Sequence, residues 1–352
     1  VYSPLHGSGA VPVSRALAEL GIEVSFVEEQ RDPDENFPTV TMPNPEEADA
    51  LKMALSLAAR KKADLVLATD PDADRLGTAV AHEGSFALLT GNQLGVLLAD
   101  YIFGGRAEQG TLPQKPAFVK TIVTTELQRR VAEKWGARCF DTLTGFKYIA
   151  EKIARFESED DGLEYVFGGE ESYGYLAGTA VRDKDAVSAA VLTAEMALYH
   201  RTRGQSLLGR LDQIYEEHGY YEEMLISRYF KGEKGADVMK GLMRRLRDSP
   251  PAELGGEQVA KIKDYADGTV RDPTSGTVEN SIDLPSSNVL QFILSDDSIV
   301  TARPSGTEPK IKFYASCCGA PGDDLAASKR TVSRKLAGIR DAINSLIGEQ
   351  AS

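Results

Sequence analysis

Leu65-Val66-Leu67-Ala68-Thr69-Asp70-Pro71-Asp72-Ala73-Asp74-Arg75 passes from a continuous apolar run into a short loop with a carboxylate at every second position. An apolar run without alternation reads as a strand buried on both faces, as in parallel sheets. Ahead of it, Ala48, Leu51, Leu55 and Ala58 recur at helical spacing. They follow Asn44-Pro45-Glu46-Glu47, a helix start with a cap residue, a proline at the first helical position and acids in the first turn. Farther back, a Gly7-Ser8-Gly9 turn, a helix over 11–20 and a strand over 23–27 continue the pattern. Strand and helix in alternation predict a doubly wound α/β domain over 1–108.

The stretch from Gly104-Gly105 to Pro116 is turn-rich and reads as a linker. A second doubly wound α/β domain is expected over 109–218, with strands at 117–122 and 165–167 and helices at 126–135, 146–156 and 185–203. Beyond 219 the texture changes to short alternating strands at 278–283, 289–294, 299–303 and 311–316. A closing helix carries Leu325, Val332, Leu336, Ile339, Ile343 and Leu346 on one face, so 219–352 reads as an α+β domain.

Composition excludes several classes of function. The chain has 352 residues and a formal charge of −13, which offers no broad basic surface for a nucleic-acid backbone. It leaves room for a phosphorylated small molecule, which needs only a local cluster of donors. No apolar run approaches the roughly 18 residues of a membrane span. Cys139, Cys317 and Cys318 have neither a disulfide framework nor zinc spacing, and the adjacent pair reads as small core residues. A cytoplasmic location is the expectation. The opening Val1-Tyr2 reads as the end of a strand, as if the chain continued a longer one.

Three loops concentrate chemistry. In the first, Asp70, Asp72 and Asp74 would repel one another at low dielectric unless a cation sat among them. The loop stands at the carboxyl end of its strand, where open α/β sheets bind ligands. Hard oxygen donors suit Mg²⁺. An EF-hand needs glycine sixth and glutamate twelfth, where this loop has Arg75 and Ala81. Asp74 does not fit a haloacid-dehalogenase nucleophile loop, which leaves a solvated acidic turn as the plain alternative. Arg75 would balance charge or contact a phosphoryl group.

The second loop, Gly168-Gly169-Glu170-Glu171-Ser172-Tyr173-Gly174-Tyr175, follows an apolar strand. Glu170 and Ser172 share a side if the segment is extended and could then hold neighbouring hydroxyls; a glycine-rich acidic turn is the alternative. In the third, Arg303-Pro304-Ser305-Gly306-Thr307-Glu308-Pro309-Lys310, a guanidinium, hydroxyls and an approachable backbone make a phosphate site or, more plainly, a hairpin turn. Its spacing is not that of a nucleotide-binding Walker loop.

In this order and in successive domains, the three loops resemble the α-D-phosphohexomutase family, closest to its bacterial phosphoglucomutase branch. The resemblance covers essentially the whole chain as the family's domains two, three and four, the last TATA-binding-protein-like. It implies Asp70, Asp72 and Asp74 as ligands of Mg²⁺, with Arg75 beside a phosphoserine. Glu170, Ser172, Thr144 and Gly145 would hold the sugar. Arg303, Ser305, Gly306 and Thr307, helped by Lys310, would hold the phosphate that is not transferred. In Arg182-Asp183-Lys184-Asp185, Lys184 would lie at the reacting phosphate and serve proton transfer or charge stabilisation.

The implied activity interconverts hexose 1-phosphate and hexose 6-phosphate through a hexose bisphosphate, with glucose preferred and mannose second. The family's phosphoserine loop is not found in these residues, so the N-terminal domain that carries it is an expected partner and this chain alone is expected to be inactive. A phosphosugar-binding module and a Mg²⁺-dependent sugar phosphatase are the alternatives. His6, in Leu5-His6-Gly7-Ser8, borders the cleft or plays a structural part.

Overall fold

Among the described residues apolar runs form the centres of three sheets, and the chain divides into two compact units, Val1–Ile214 and Tyr215–Ser352. The structure, a computed structural model, describes residues 1–230, 235–306 and 308–351, with side chains as far as residue 348. No helix among the described residues is long and apolar enough to cross a membrane.

The first unit begins β1 (Tyr2–Ser3), α1 (Ala10–Glu19), α2 (Lys52–Lys61), β2 (Leu65–Thr69), β3 (Leu76–His82), β4 (Ser85–Leu89) and α3 (Gly91–Glu108). Strands β1 and β2 are parallel, and β2, β3 and β4 form an antiparallel meander beside them. Val66 and Ala79 from the sheet bury against Ala54 and Ala58 of α2, so the apolar face of that helix covers the strand that leads to the acidic loop.

Three local expectations give way to tertiary contacts. The helix expected from residue 44 starts at Lys52 instead. Asn44 Oδ1 still accepts from the Glu46 amide at 3.0 Å, but the chain then makes three-residue turns from Glu47 to Leu51. Pro45 is pressed against Gly77 of β3, and Glu46 is drawn to Arg75. The strand expected at 23–27 shrinks to a single bridge between Phe26 and Tyr2, because β1 is only two residues long and Pro4 ends it. Gly104 and Gly105 lie inside α3 rather than in a linker. The bare Cα of Gly104 makes room for Trp135, whose ring would stand 3.2 Å from an added Cβ.

The first unit continues with β5 (Pro116–Thr121), α4 (Glu126–Lys134), β6 (Arg138–Thr142), α5 (Phe146–Ser158), β7 (Glu164–Gly169), β8 (Tyr175–Ala177), α6 (Ala186–Thr202) and α7 (Leu207–His218), the last crossing into the second unit. The sheet order is β6-β5-β7-β8, parallel except for β8. Ala117 and Val119 of β5 pack with Phe146, Ile149 and Ile153 of α5. Parallel strands joined through helices in this way bring the loops after β5, β6 and β7 to one sheet edge.

The second unit contains β9 (Tyr221–Tyr229), α8 (Gly235–Asp248), β10 (Glu253–Leu254), β11 (Glu257–Asp264), β12 (Thr269–Arg271), β13 (Val278–Asn280), β14 (Leu290–Leu294), β15 (Ile299–Pro304), β16 (Lys310–Cys318) and α9 (Leu325–Ala351). Its sheet is antiparallel throughout, in the order β13-β12-β11-β14-β15-β16-β9, with β10 paired to β11. Leu242 and Leu246 of α8 and Leu336, Ile339 and Ile343 of α9 share a core with Phe292, Val300 and Phe313. Helices thus cover one face of this sheet. Cys317 is fully buried there, while Cys318 and Cys139 are half-buried.

Candidate active site

The acidic loop is shaped by one of its own carboxylates. Thr69 and Leu76 form the last pair of the β2–β3 ladder, so the intervening residues must turn within a few bonds. Asp70 Oδ1 accepts from the amides of Asp74 and Arg75, each at 2.9 Å, and Ala73 takes a left-handed φ of 58° to close the turn. One oxygen from each of Asp70, Asp72 and Asp74 lies within 4.8 Å of the others. Burial, with the charges of Asp74 and Asp72, pushes the Asp70 carboxyl up to about 7.

This donor set fits a hard divalent cation. It is all carboxylate oxygen, it is partly withdrawn from water, and Asp74 Oδ1 is buried without a hydrogen-bond partner. Arg75 Nε stands 3.7 Å from Asp70 Oδ2 and 3.8 Å from Asp74 Oδ1, too far to satisfy that oxygen.

Two cations flank the triad. Arg75 Nη1 donates to Glu46 Oε1 at 2.8 Å, so Glu46, read from sequence as a first-turn acid, orients the guanidinium instead. Lys184 Nζ contacts Asp74 Oδ2, spanning 110 residues of chain. Its stem passes over Gly174, where an added Cβ would come within 2.5 Å of Lys184 Cδ. Asp185 caps α6 by accepting from the Val187 amide at 2.9 Å, which fixes Lys184 just outside the helix. Burial works against the ammonium, but Asp74 outweighs it and holds the Lys184 pKa above its ordinary value. Lys184 is therefore charged at neutral pH.

Backbone bonds lace the second loop to the first. The Glu170 amide donates to Gly174 O at 2.8 Å, closing the β7–β8 turn, and Tyr173 takes a left-handed φ of 67°. The Leu76 amide donates to Tyr173 O at 3.0 Å, and Arg75 bridges Gly174. The Ala186 amide donates to Ala73 O at 3.1 Å, bringing the Lys184 segment to the same place. Glu170 Oε1 in turn accepts from the Gly145 amide at 2.8 Å. Gly145 has φ 116°, outside the reach of other residues, so the turn into α5 requires glycine there. Thr144 and Ser172 are half-buried beside these groups in the chain.

Glu171 was not singled out by sequence. Its Oε2 accepts from Thr121 Oγ1 at 3.2 Å and Thr124 Oγ1 at 3.3 Å, and burial with the neighbouring Glu170 charge raises its pKa. Beneath it, Lys120 has no exposed surface and pairs with Glu126 at 2.6 Å and Asp141 at 3.0 Å. His6 is buried with a φ of 61° and its Nε2 shares a hydrogen bond with Thr39 Oγ1 at 2.8 Å. The next residues touch the acidic loop, the Ser8 amide donating to Pro71 O at 2.8 Å.

The third loop belongs to the second unit. Arg303 pairs with Lys312 across β15 and β16 and is half-buried. The Ser305 amide donates to Lys310 O at 2.7 Å, and Ser305 Oγ accepts from the Glu308 amide at 3.2 Å. Gly306 is exposed, with open space around its Cα. Lys310 Nζ donates to Tyr229 Oη at 2.7 Å and lies 4.4 Å from the centre of that ring. Thr307 lies outside the described residues.

Comparison with known proteins gives this constellation a family. Residues 1–84 match the family described as phosphoglucomutase/phosphomannomutase, alpha/beta/alpha domain II, and residues 90–218 match its alpha/beta/alpha domain III. A phosphoglucomutase of Staphylococcus aureus (strain MRSA252) is 38% identical over 329 residues, covering 93% of this chain and 58% of the relative. The chain thus spans under two thirds of the length of the curated relatives it matches.

Among solved structures, the open form of pp63/parafusin (phosphoglucomutase) from Paramecium aligns with a TM-score of 0.63 and 20% identity, covering 99% of this chain and 57% of that one. A phosphoglucomutase/phosphomannomutase family protein from Burkholderia thailandensis aligns with a TM-score of 0.60 and 17% identity, covering 98% of this chain and 60% of that one. These two likenesses concern the fold. With both domain matches and the extent of sequence identity, the chain belongs to the phosphoglucomutase/phosphomannomutase family.

Proposed function

We propose that the chain supplies the cation-, sugar- and phosphate-binding parts of a cytoplasmic phosphosugar mutase. Its substrates in this reading are hexose 1-phosphate and hexose 6-phosphate, glucose ahead of mannose, exchanged through a hexose bisphosphate. The carrying observation is the convergence, within residues 1–214, of three carboxylates, Lys184 and the Glu170–Gly145 pair, laced by backbone hydrogen bonds. The division into 1–108, 109–218 and 219–352 belongs to the same proposal, supported by the separate matches to domains II and III.

Asp70, Asp72 and Asp74 would hold Mg²⁺, which neutralises charge on a transferring phosphoryl group. Arg75, steadied by Glu46, adds a second positive charge at the same place. Lys184 Nζ, charged beside Asp74, stabilises the phosphoryl oxygens and can give a proton to the leaving oxygen. Glu170 and Ser172, with Thr144 and Gly145, orient the sugar so that one hydroxyl faces the reacting group. Arg303, Ser305, Gly306 and Thr307, assisted by Lys310, hold the other phosphate. The phosphoryl carrier is a serine outside these 352 residues, on another domain of the same protein.

A mutase assay on this chain and on a version extended to the length of its relatives tests the proposal. Isomerisation of hexose phosphate by the extended protein is the expected result. Release of inorganic phosphate without isomerisation would make it a phosphatase, and binding without turnover in either version would make it a binding module.

A further inference from the structure

We infer that Glu171 is a positioning residue, whose inward carboxylate sets the direction in which its neighbour Glu170 points. This rests on the proposed role of the 170–172 loop in sugar binding. Glu170 and Glu171 are consecutive residues of the tight β7–β8 turn, closed by the Glu170 amide on Gly174 O at 2.8 Å, so anchoring the side chain of one fixes the backbone from which the other projects. Glu171 is anchored twice. Its Oε2 stands 3.2 Å from Thr121 Oγ1 and 3.3 Å from Thr124 Oγ1, which are 2.9 Å apart, so two hydroxyl protons are shared among three close contacts. Its carbonyl lies against the start of α3, where a side chain at Gly91 would collide with it.

The anchor is itself held from below. Lys120 Nζ donates to Thr121 O at 3.3 Å and Thr124 O at 3.1 Å, fixing the turn that presents both hydroxyls. Packing alone would be served by an apolar side chain, because a carboxylate withdrawn from water is costly unless its partners are placed for it. Two convergent hydroxyls give direction as well as contact. That direction delivers Glu170 Oε1 to the Gly145 amide, 25 residues away in sequence, and joins the loops after β6 and β7.

Hydrogen exchange at the Gly145 amide and equilibrium binding of glucose 1-phosphate, both on this chain, read the two halves of the idea without needing turnover. In Glu171→Ala, Gly145 exchange is expected to quicken about tenfold and sugar-phosphate affinity to fall about tenfold, the scale of losing one charge-assisted hydrogen bond. Glu171→Gln keeps an acceptor for both hydroxyls and restores each value to within about threefold.

Unchanged exchange at Gly145 in Glu171→Ala overturns the inference, whatever happens to affinity. So does failure of Glu171→Gln to rescue, which would mark a general packing role. Faster exchange with Gln rescue and unaltered affinity upholds the positioning and instead sinks the sugar reading of the loop. If Glu171→Ala does not fold, Thr124→Val removes one donor, and Gly145 exchange decides in the same way.

Discussion

Single residues in the site divide by whether anything besides a ligand holds them. Asp70 shapes its own turn and Asp74 meets Lys184, but Asp72 is exposed and makes no hydrogen bond or ion pair among the described residues. Asp72→Asn should therefore leave thermal stability within about 0.5 kcal/mol, as for a featureless surface change. Removing one ligand charge should still weaken Mn²⁺ or Mg²⁺ binding by about tenfold or more, since ligand charge sets affinity at such sites. Calorimetric titration beside a melting curve checks both halves, and unchanged affinity would take Asp72 out of the cation site. Gly145→Ala runs the other way: φ 116° strains any side chain, so a loss of about 1–3 kcal/mol in denaturant unfolding is expected. A stability equal to the parent would show that the turn can relax without losing its form.

At the level of elements, the sequence was legible where chemistry is contiguous and illegible where it is assembled across the chain. The acidic loop announces itself because three carboxylates sit within five residues. Glu46 does not, because its partner Arg75 is 29 residues away, and Glu171 does not, because Thr121 is 50 away. Propensity misled at 44–51 for the same reason: a good local helix start lost to the packing of Pro45 on Gly77. The β2–β4 meander escaped notice because Gly77 and Thr78 interrupt β3, which therefore shows neither the continuous apolar run of β2 nor a clean alternation. Strand β9 and helix α8, before the strands read at 278–316, were not read at all.

The Lys120 network is the strongest case of an element fixed by long-range charge. Lys120 on β5, Arg129 and Glu126 on α4 and Asp141 on β6 tie strand, helix and strand together. Lys120 and Arg129 together hold the Glu126 carboxyl down at about 2 against the effect of burial. Lys120→Met keeps the stem but leaves Glu126 and Asp141 with Arg129 as their one remaining cation, and breaking a buried pair costs about 3–5 kcal/mol when nothing replaces the lost charge. Glu126 and Asp141 keep roughly a third of their side-chain surface in water, so about 2–3 kcal/mol is expected here. Urea unfolding measures it, and a loss under about 1 kcal/mol would show that water takes over the role of the ammonium.

For the molecule as a whole, the two units differ in how they are stabilised. The first builds its site from loops on two sheets, whereas the second closes a single core between one antiparallel sheet and two helices. Leu242, Phe292, Phe313 and Ile339 are all at or below 1% exposure, and the core they share is built from residues of the second unit. A piece of this size buries enough apolar surface to fold by itself. Residues 207–352, which keep α7 intact, should therefore unfold in one cooperative step. At about 0.7 kcal/mol per residue the calorimetric enthalpy should be about 100 kcal/mol near 60 °C. Agreement between calorimetric and van't Hoff enthalpies would mark a true two-state unit. A broad transition with dye-binding apolar surface would show that this core is completed only by residues of the first unit, and the division at 214 would then be geometric rather than thermodynamic.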